Sequence, residues 1–334
     1  MKEWFNLTQD RQKTIIAQVS AKTGLPSFAV EKDFWVTQCL NASFNLEVSS
    51  NLIFKGGTSL SKAWSIIERF SEDIDLCINR KVLGFEGELS KTQISRLRKA
   101  SCKYTSTELP KLLETELLKN GLKTFKIEVR ETNDSDKDPQ VIEIHYNSIT
   151  EPIPYMLPKV IVEVGARSLI EPTESREIQS LIGIQYPEQK FSGIPFSIPT
   201  VLPKRTFLEK IFLLHEEFQK RDEYIRTERM TRHHYDLEKL MDTEHGMEAL
   251  LDEDLYSIIV KHRSKFNLLR GLNYSNHSPE KVSILPPKGK LKEWKNDYEI
   301  MRESMIYGES LNFEGLIDRI TELEVRLKSC KYRL

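Results

Sequence analysis

The chain has 334 residues, 39% of them hydrophobic and 30% charged, with a formal net charge of −1. This composition suits a folded globular protein and argues against disorder. The near-zero charge leaves no global basic field for nucleic acid, so a polynucleotide partner would need a local patch. No apolar run approaches the roughly 18–20 residues that span a bilayer, so no membrane partner is expected. The amino-terminal Met1-Lys2-Glu3-Trp4 lacks the apolar core of a signal peptide, which makes a cytoplasmic location the expectation.

In chain order, an amphipathic helix is predicted from about Thr8, with Ile15, Ile16 and Val19 on one face, ending at Gly24-Leu25-Pro26. A second helix starts near Ser27 and carries Val30, Phe34 and Cys39. Residues 52–54 and 73–78 read as strands flanking a helix over 59–67. A long helix over 91–118 should be broken or kinked by Pro110. Strands follow at 123–131, 140–146 and 159–164, and the turn-rich 133–139 makes the first two an antiparallel pair. Residues 171–204, rich in Pro and Gly, are expected as a loop-rich connector. Beyond them, helices are predicted at 205–219, 230–242, 247–263, 289–304 and 313–328, with a long loop over 267–290. The domain expectation is therefore 1–170, the connector 171–204, and a helical 205–334. Cys39, Cys77, Cys102 and Cys330 have no Cys-x-x-Cys spacing, so neither a disulfide nor a structural metal is expected.

Chemistry concentrates between Phe54 and Leu76. An apolar run ends in Gly56-Gly57, and one helical stretch later come Asp73 and Asp75. Residues two apart on a strand share a face, so the two carboxylates project together and could share a divalent metal. The glycines would let backbone N–H groups approach a phosphate, with the Thr58 or Ser59 hydroxyl adding donors. Lys62 either reaches phosphate or lies in solvent. Arg69 holds the aspartates apart, touches phosphate, or forms a structural ion pair. A phosphate cradle beside a carboxylate pair is what phosphoryl or nucleotidyl transfer requires. Neither a Gly-x-x-x-x-Gly-Lys-Ser/Thr loop nor a Gly-x-Ser-x-Gly elbow is present, so kinase and serine-hydrolase readings lack support.

Four blocks in order resemble the AbiEii-type nucleotidyltransferase toxins of the DNA polymerase β-like superfamily. They are Glu31-Lys32-Asp33-Phe34-Trp35-Val36-Thr37, the 54–76 segment, Leu202-Pro203 with 205–210 and Leu214-His215, and Arg232-His233-His234-Tyr235-Asp236-Leu237. The resemblance implies an α+β fold, with a polymerase β-like core on a mixed sheet followed by a mainly helical half that completes the active site. It implies Mg²⁺ or Mn²⁺ held by Asp73, Asp75 and a third carboxylate. Glu163, a lone acid in a β-branched run, is the leading candidate, with Glu143 in reserve. It also implies that Lys210 meets the triphosphate of an NTP. Asp236 would orient Lys210 or contact the nucleotide, unless it only pairs with Arg232 one turn away. His215 is expected to pack or cap, and His233-His234 lacks metal-ligand spacing.

By resemblance the chain would move NMP from an NTP to an RNA acceptor, with the tRNA 3′ end leading, as the toxin of a toxin–antitoxin or phage-defence pair. Protein or small-molecule hydroxyls remain alternative acceptors, and a non-catalytic nucleotide-binding regulator is the rival class. Two basic runs, Lys91–Lys103 and Lys288–Lys295, could guide an RNA backbone or be solvated helix faces.

Overall fold

The computed structural model describes residues 2–153, 156–267 and 272–332. The chain forms two compact units, one of Met1–Trp64 with Phe70–Val201, the other of Ser65–Arg69 with Leu202–Leu334.

In the first unit the elements run α1 (Lys2–Phe5), α2 (Gln9–Thr23), α3 (Ser27–Phe44), β1 (Leu52–Lys55), α4 (Gly56–Lys62) and β2 (Asp73–Ile78). They continue as α5 (Lys91–Thr107), α6 (Leu109–Lys119), β3 (Phe125–Val129), β4 (Gln140–Tyr146), β5 (Lys159–Gly165), β6 (Thr173–Ile178), α7 (Leu181–Gln185) and β7 (Phe196–Val201). The strands form one mixed sheet in the order β3-β4-β5-β2-β1-β7-β6. β2 runs parallel to β5 and β1 parallel to β7, while the other neighbours are antiparallel. Ile74 and Leu76 on β2, and Val160, Val162 and Val164 on β5, are buried. Each contributes about 1.5–3 kcal/mol by leaving water. The intervening Asp73, Asp75 and Glu163 occupy the opposite face and are half-buried.

Helix α3 is buried almost all round, including its charged Glu31, Lys32 and Asp33. A helix without a polar face is an interior helix, and its charges must find partners. Glu31 accepts from the Ile149 N–H at 2.9 Å, the Thr150 N–H at 3.2 Å and the Ser148 hydroxyl at 2.7 Å. Lys32 pairs with Glu72, and Asp33 pairs with Lys62.

The second unit is helical: α8 (Pro203–Phe218), α9 (Thr231–Leu240), α10 (Glu244–Ala249), α11 (Glu253–Phe266), α12 (Leu291–Ser304) and α13 (Phe313–Ser329). Trp294, Tyr256 and Tyr298 are fully buried in its core. The short segment Ser65–Arg69 is tied into it, because the Tyr307 N–H donates to the Glu68 carbonyl at 3.0 Å and Arg69 bridges Ile306.

The fold is α+β, as expected, and most elements fall where periodicity puts them. The helix over 91–118 is broken as expected, with Pro110 in the first turn of α6, where a missing N–H costs nothing. Other segments differ. The helix expected over 247–263 is two, α10 and α11. The helix expected over 59–67 starts at Gly56 and stops at Lys62. Residues 171–201, expected as a loop-rich connector, hold the antiparallel pair β6–β7. β6 reads Thr-Glu-Ser-Arg-Glu-Ile, a polar edge strand without apolar alternation, and β7 contains Pro199. Both features hide a strand from its sequence. In the loop expected over 267–290, residues 274–277, 279–281 and 288–290 form 3₁₀ turns, and 268–271 lie outside the described residues.

Candidate active site

The carboxylates stand where two parallel strands meet. Asp75 is in register with Glu163 across β2 and β5, and Asp73 with Ile161. Side chains directly opposite on neighbouring strands share a face. The backbone thus brings Asp73, Asp75 and Glu163 to one face of the central sheet. Glu143, the reserve candidate, shares that face through its register with Ile161. It is already engaged, by Lys159 at 2.7 Å and Arg130 at 2.6 Å. Partial desolvation opposes its ionisation, yet the hydrogen bonds from these two cations bring its pKa down to about 2.

Gly56 turns the chain from β1 into α4 with φ +81°, a conformation that favours glycine. A Cβ built there would lie 1.9 Å from Asp75 Oδ2. The glycine therefore gives the Asp75 carboxylate its place against the turn, and the donor set there is hard oxygen, suited to Mg²⁺ or Mn²⁺. Among the described residues no group of three or more His, Cys, Asp or Glu side chains is already set as a metal cage. Gly57 opens α4 beside it.

The neighbouring polar residues hold the motif together. Thr58 Oγ1 lies 3.0 Å from Ser71 Oγ and donates to the Asp73 carbonyl, while the Ser59 hydroxyl donates to the Gly56 carbonyl at 2.8 Å. Lys62 meets Asp33 at 2.5 Å, and Asp33 also accepts the Leu181 N–H at 2.8 Å. Lys32 and Asp33, adjacent on α3, thus grip Glu72 just before the aspartates and Lys62 at the end of α4. Sequence reasoning placed the Glu31-Lys32-Asp33 block in a family motif without seeing this clamp, because its partners lie 40 and 29 residues away. Lys55 was also missed. It is in register with Asp75 on the side opposite Glu163.

The second unit holds a separate charged cluster. Lys210 on α8 meets Asp236 Oδ2 on α9 at 2.8 Å. Arg69 donates from Nε to Oδ1 and from Nη2 to Oδ2 of the same carboxylate, each at 2.7 Å. Asp236 is fully buried, and Lys210 and Arg69 are 7% and 3% exposed. Lys210 is thus no snorkelling surface residue, and Arg69 engages Asp236. Burial and the nearby Arg69 and Arg232 guanidinium groups lower the Lys210 pKa, with Asp236 opposing. Burial would raise the Asp236 pKa, but Arg69 and Lys210 pull it below the usual carboxylate value. His233 Nδ1 lies 3.5 Å from the Lys210 ammonium. Burial, then Lys210 and the two arginines, hold its pKa well below 6.5, so the neutral ring accepts from the ammonium.

His234 and His215 hold the helical unit together. His234 accepts the Trp294 indole N–H at 2.8 Å and donates to the Ile284 carbonyl at 2.7 Å. His215 accepts the Ser283 N–H at 3.1 Å. Of the basic runs, Arg96, Lys99 and Lys103 lie exposed along α5, whereas Arg98 bonds the Asp136 carbonyl. Lys290 and Lys295 pair with Glu293 and Glu314.

A glycine turn beside a row of strand-borne carboxylates on a mixed sheet is an arrangement that suits a nucleotidyltransferase. The sequence matches the family described as nucleotidyl transferase AbiEii toxin, Type IV TA system, over residues 40–319, and the chain belongs to that family. Its fold is similar to that of MenT4, a nucleotidyltransferase toxin from Mycobacterium tuberculosis H37Rv, at 16% identity and a TM-score of 0.57. That alignment covers 97% of this chain and 91% of that one. JHP933 from Helicobacter pylori aligns at 12% identity over 91% and 92% of the two chains, with a TM-score of 0.42. Among curated proteins none matches.

Proposed function

We propose that this nucleotidyltransferase is metal-dependent and transfers NMP from an NTP to an RNA hydroxyl, with the tRNA 3′ end as leading acceptor. The acceptor oxygen attacks the α-phosphorus, the bond to the bridging α–β oxygen breaks, and pyrophosphate leaves with that electron pair. The observation that carries the reading is the Asp75–Glu163 register beside Gly56, which gathers carboxylates where a backbone turn is free of a side chain. Asp73, Asp75 and Glu163 would hold Mg²⁺ or Mn²⁺, which when bound supplies charge neutralisation for the phosphates. Glu163 would take the acceptor proton. Backbone N–H groups at Gly56 and Gly57 serve the phosphates.

Lys210 is assigned to the triphosphate as a point charge, with Asp236 fixing its aim and Arg69 fixing Asp236. The exposed Arg96, Lys99 and Lys103 of α5 are the surface we assign to the RNA backbone. As a family toxin the chain is expected to have a cognate antitoxin, acting directly or through its gene product.

The test is incubation with each labelled NTP, Mg²⁺ and total RNA, with pyrophosphate and label followed together. Label at tRNA 3′ ends supports the reading. Label on protein or on a small-molecule hydroxyl would replace the acceptor and keep the transfer. No pyrophosphate from any NTP with RNA, protein or small-molecule fractions would end it.

A further inference from the structure

We propose that Lys55 is a substrate-contacting residue of this site, its ammonium meeting the triphosphate of a metal–nucleotide complex beside Asp75. The inference rests on the nucleotidyl-transfer reading and adds a residue to it.

Lys55, Asp75 and Glu163 form one row across β1, β2 and β5, with Asp75 in register with both neighbours. Opposite charges facing one another across strands normally pair. Here they do not: among the described residues neither Lys55 nor Asp75 has an ion pair or side-chain hydrogen bond with a protein group. Both are half-buried. The contrast with the surrounding charges is sharp. Lys32 is matched by Glu72, Lys62 by Asp33, and Glu31 by a set of N–H and O–H donors. Half-buried charge without a protein partner costs free energy unless a ligand or solvent compensates it.

The sign pattern narrows the ligand class. A free anion would meet Lys55 but be repelled by Asp73, Asp75 and Glu163. A free cation would meet the carboxylates but be repelled by Lys55. A divalent cation carried on a polyphosphate satisfies both, with metal toward Asp75 and phosphate oxygen toward Lys55. A lysine suits this task because its flexible stem delivers a compact charge. Its position, directly before Gly56, puts that charge at the mouth of the turn.

The experiment uses the full chain, wild type and Lys55→Met, with Lys55→Gln measured in parallel in case the Met variant alters the melting curve. NTP affinity is measured by calorimetric titration in Mg²⁺ with the nucleotide the wild type uses best, at two salt concentrations. Mn²⁺ binding without nucleotide is measured by electron paramagnetic resonance. The expected result is NTP binding at least tenfold weaker, with a smaller salt dependence, and Mn²⁺ binding retained within about twofold or tightened. Lys55→Arg should recover most of the nucleotide affinity. Wild-type NTP affinity in both neutral variants overturns the inference and leaves nucleotidyl transfer standing. A wild-type protein that neither binds an NTP nor releases pyrophosphate would overturn both.

Discussion

The two charged clusters of this protein are built on opposite plans. On the sheet, Asp75 and Lys55 stand half-buried with no ion pair between them. In the helical unit, Asp236 is fully buried and shared by Arg69 and Lys210. On the proposed reading, the first arrangement holds charge for a ligand, and the second uses it to fix a lysine. Removing a charge should therefore harm function with little harm to folding in the first, and should harm both in the second.

The largest effect is expected from Asp75→Ala. Loss of one preorganised electrostatic group costs on the order of 100- to 1,000-fold in rate, and a metal-holding carboxylate at least that. Since Asp75 makes no ion pair among the described residues, its removal should leave the melting curve near wild type. Near-native turnover in a folded Asp75→Ala protein would remove the central assignment. Gly56→Ala should come close in effect. Its φ of +81° costs an L-residue about 1–2 kcal/mol, and the new Cβ would displace the Asp75 carboxylate. Activity loss with only modest destabilisation is the expected pair of readings.

Asp236→Ala tests the other plan. Removing the carboxylate strands two buried cations, and breaking a buried pair in this way costs about 3–5 kcal/mol. Lys210→Met leaves Asp236 with its bidentate Arg69 partner, so it should be the more stable variant while losing transfer as severely. Denaturant titration of both variants decides this. Equal stability would mean that Arg69 does not depend on Asp236.

Acid should separate the two units further. His215 and His234 are buried, and burial lowers each pKa from 6.5 to about 4. The folded state disfavours their protonation, so the stability they support is full above about pH 6.5 and is lost as pH falls through 4. Glu143 in the sheet unit, with a pKa of about 2, holds its contribution above about pH 4.3 and loses it only as pH falls through 2. Hydrogen exchange at pH 5 should therefore rise in α8 and α9 before it rises in β4. A uniform rise would show that these histidines do not set the acid response.

How much of this was legible in the sequence depended on the distance between partners. The glycine pair, the two aspartates and Glu163 could be read locally, since period-2 alternation fixes which residues share a face. Most helices of the second unit were equally plain from their period, although the single helix expected over 247–263 is two, α10 and α11. The roles of Arg69, Lys32 and Lys55 were not. Arg69 finds Asp236 across 167 residues of chain, and nothing near either one encodes that pairing. Lys55 carries no local signal, and only the β1–β2 register sets it beside Asp75. The β6–β7 pair stayed hidden because edge strands need little apolar alternation, and a proline reads locally as a break.

The smallest effect expected concerns the acceptor. Arg96, Lys99 and Lys103 lie along one exposed face of α5 and make no ion pair among the described residues, unlike Lys290 and Lys295. If they carry RNA, the double reversal Lys99→Glu and Lys103→Glu should weaken modification of tRNA by about tenfold at moderate salt. Lost phosphate contacts also release fewer counterions, so the variant's residual binding should depend less steeply on salt than the wild type's. NTP affinity should stay unchanged, because these positions lie outside both charged clusters. The readout is the slope of the logarithm of RNA affinity against that of salt concentration, measured for both proteins. A variant that labels tRNA as well as the wild type at every salt concentration would remove α5 as the RNA track, leaving the carboxylate row intact. A wild-type slope near zero would go further, since a hydroxyl on a small molecule requires no phosphate contacts at all.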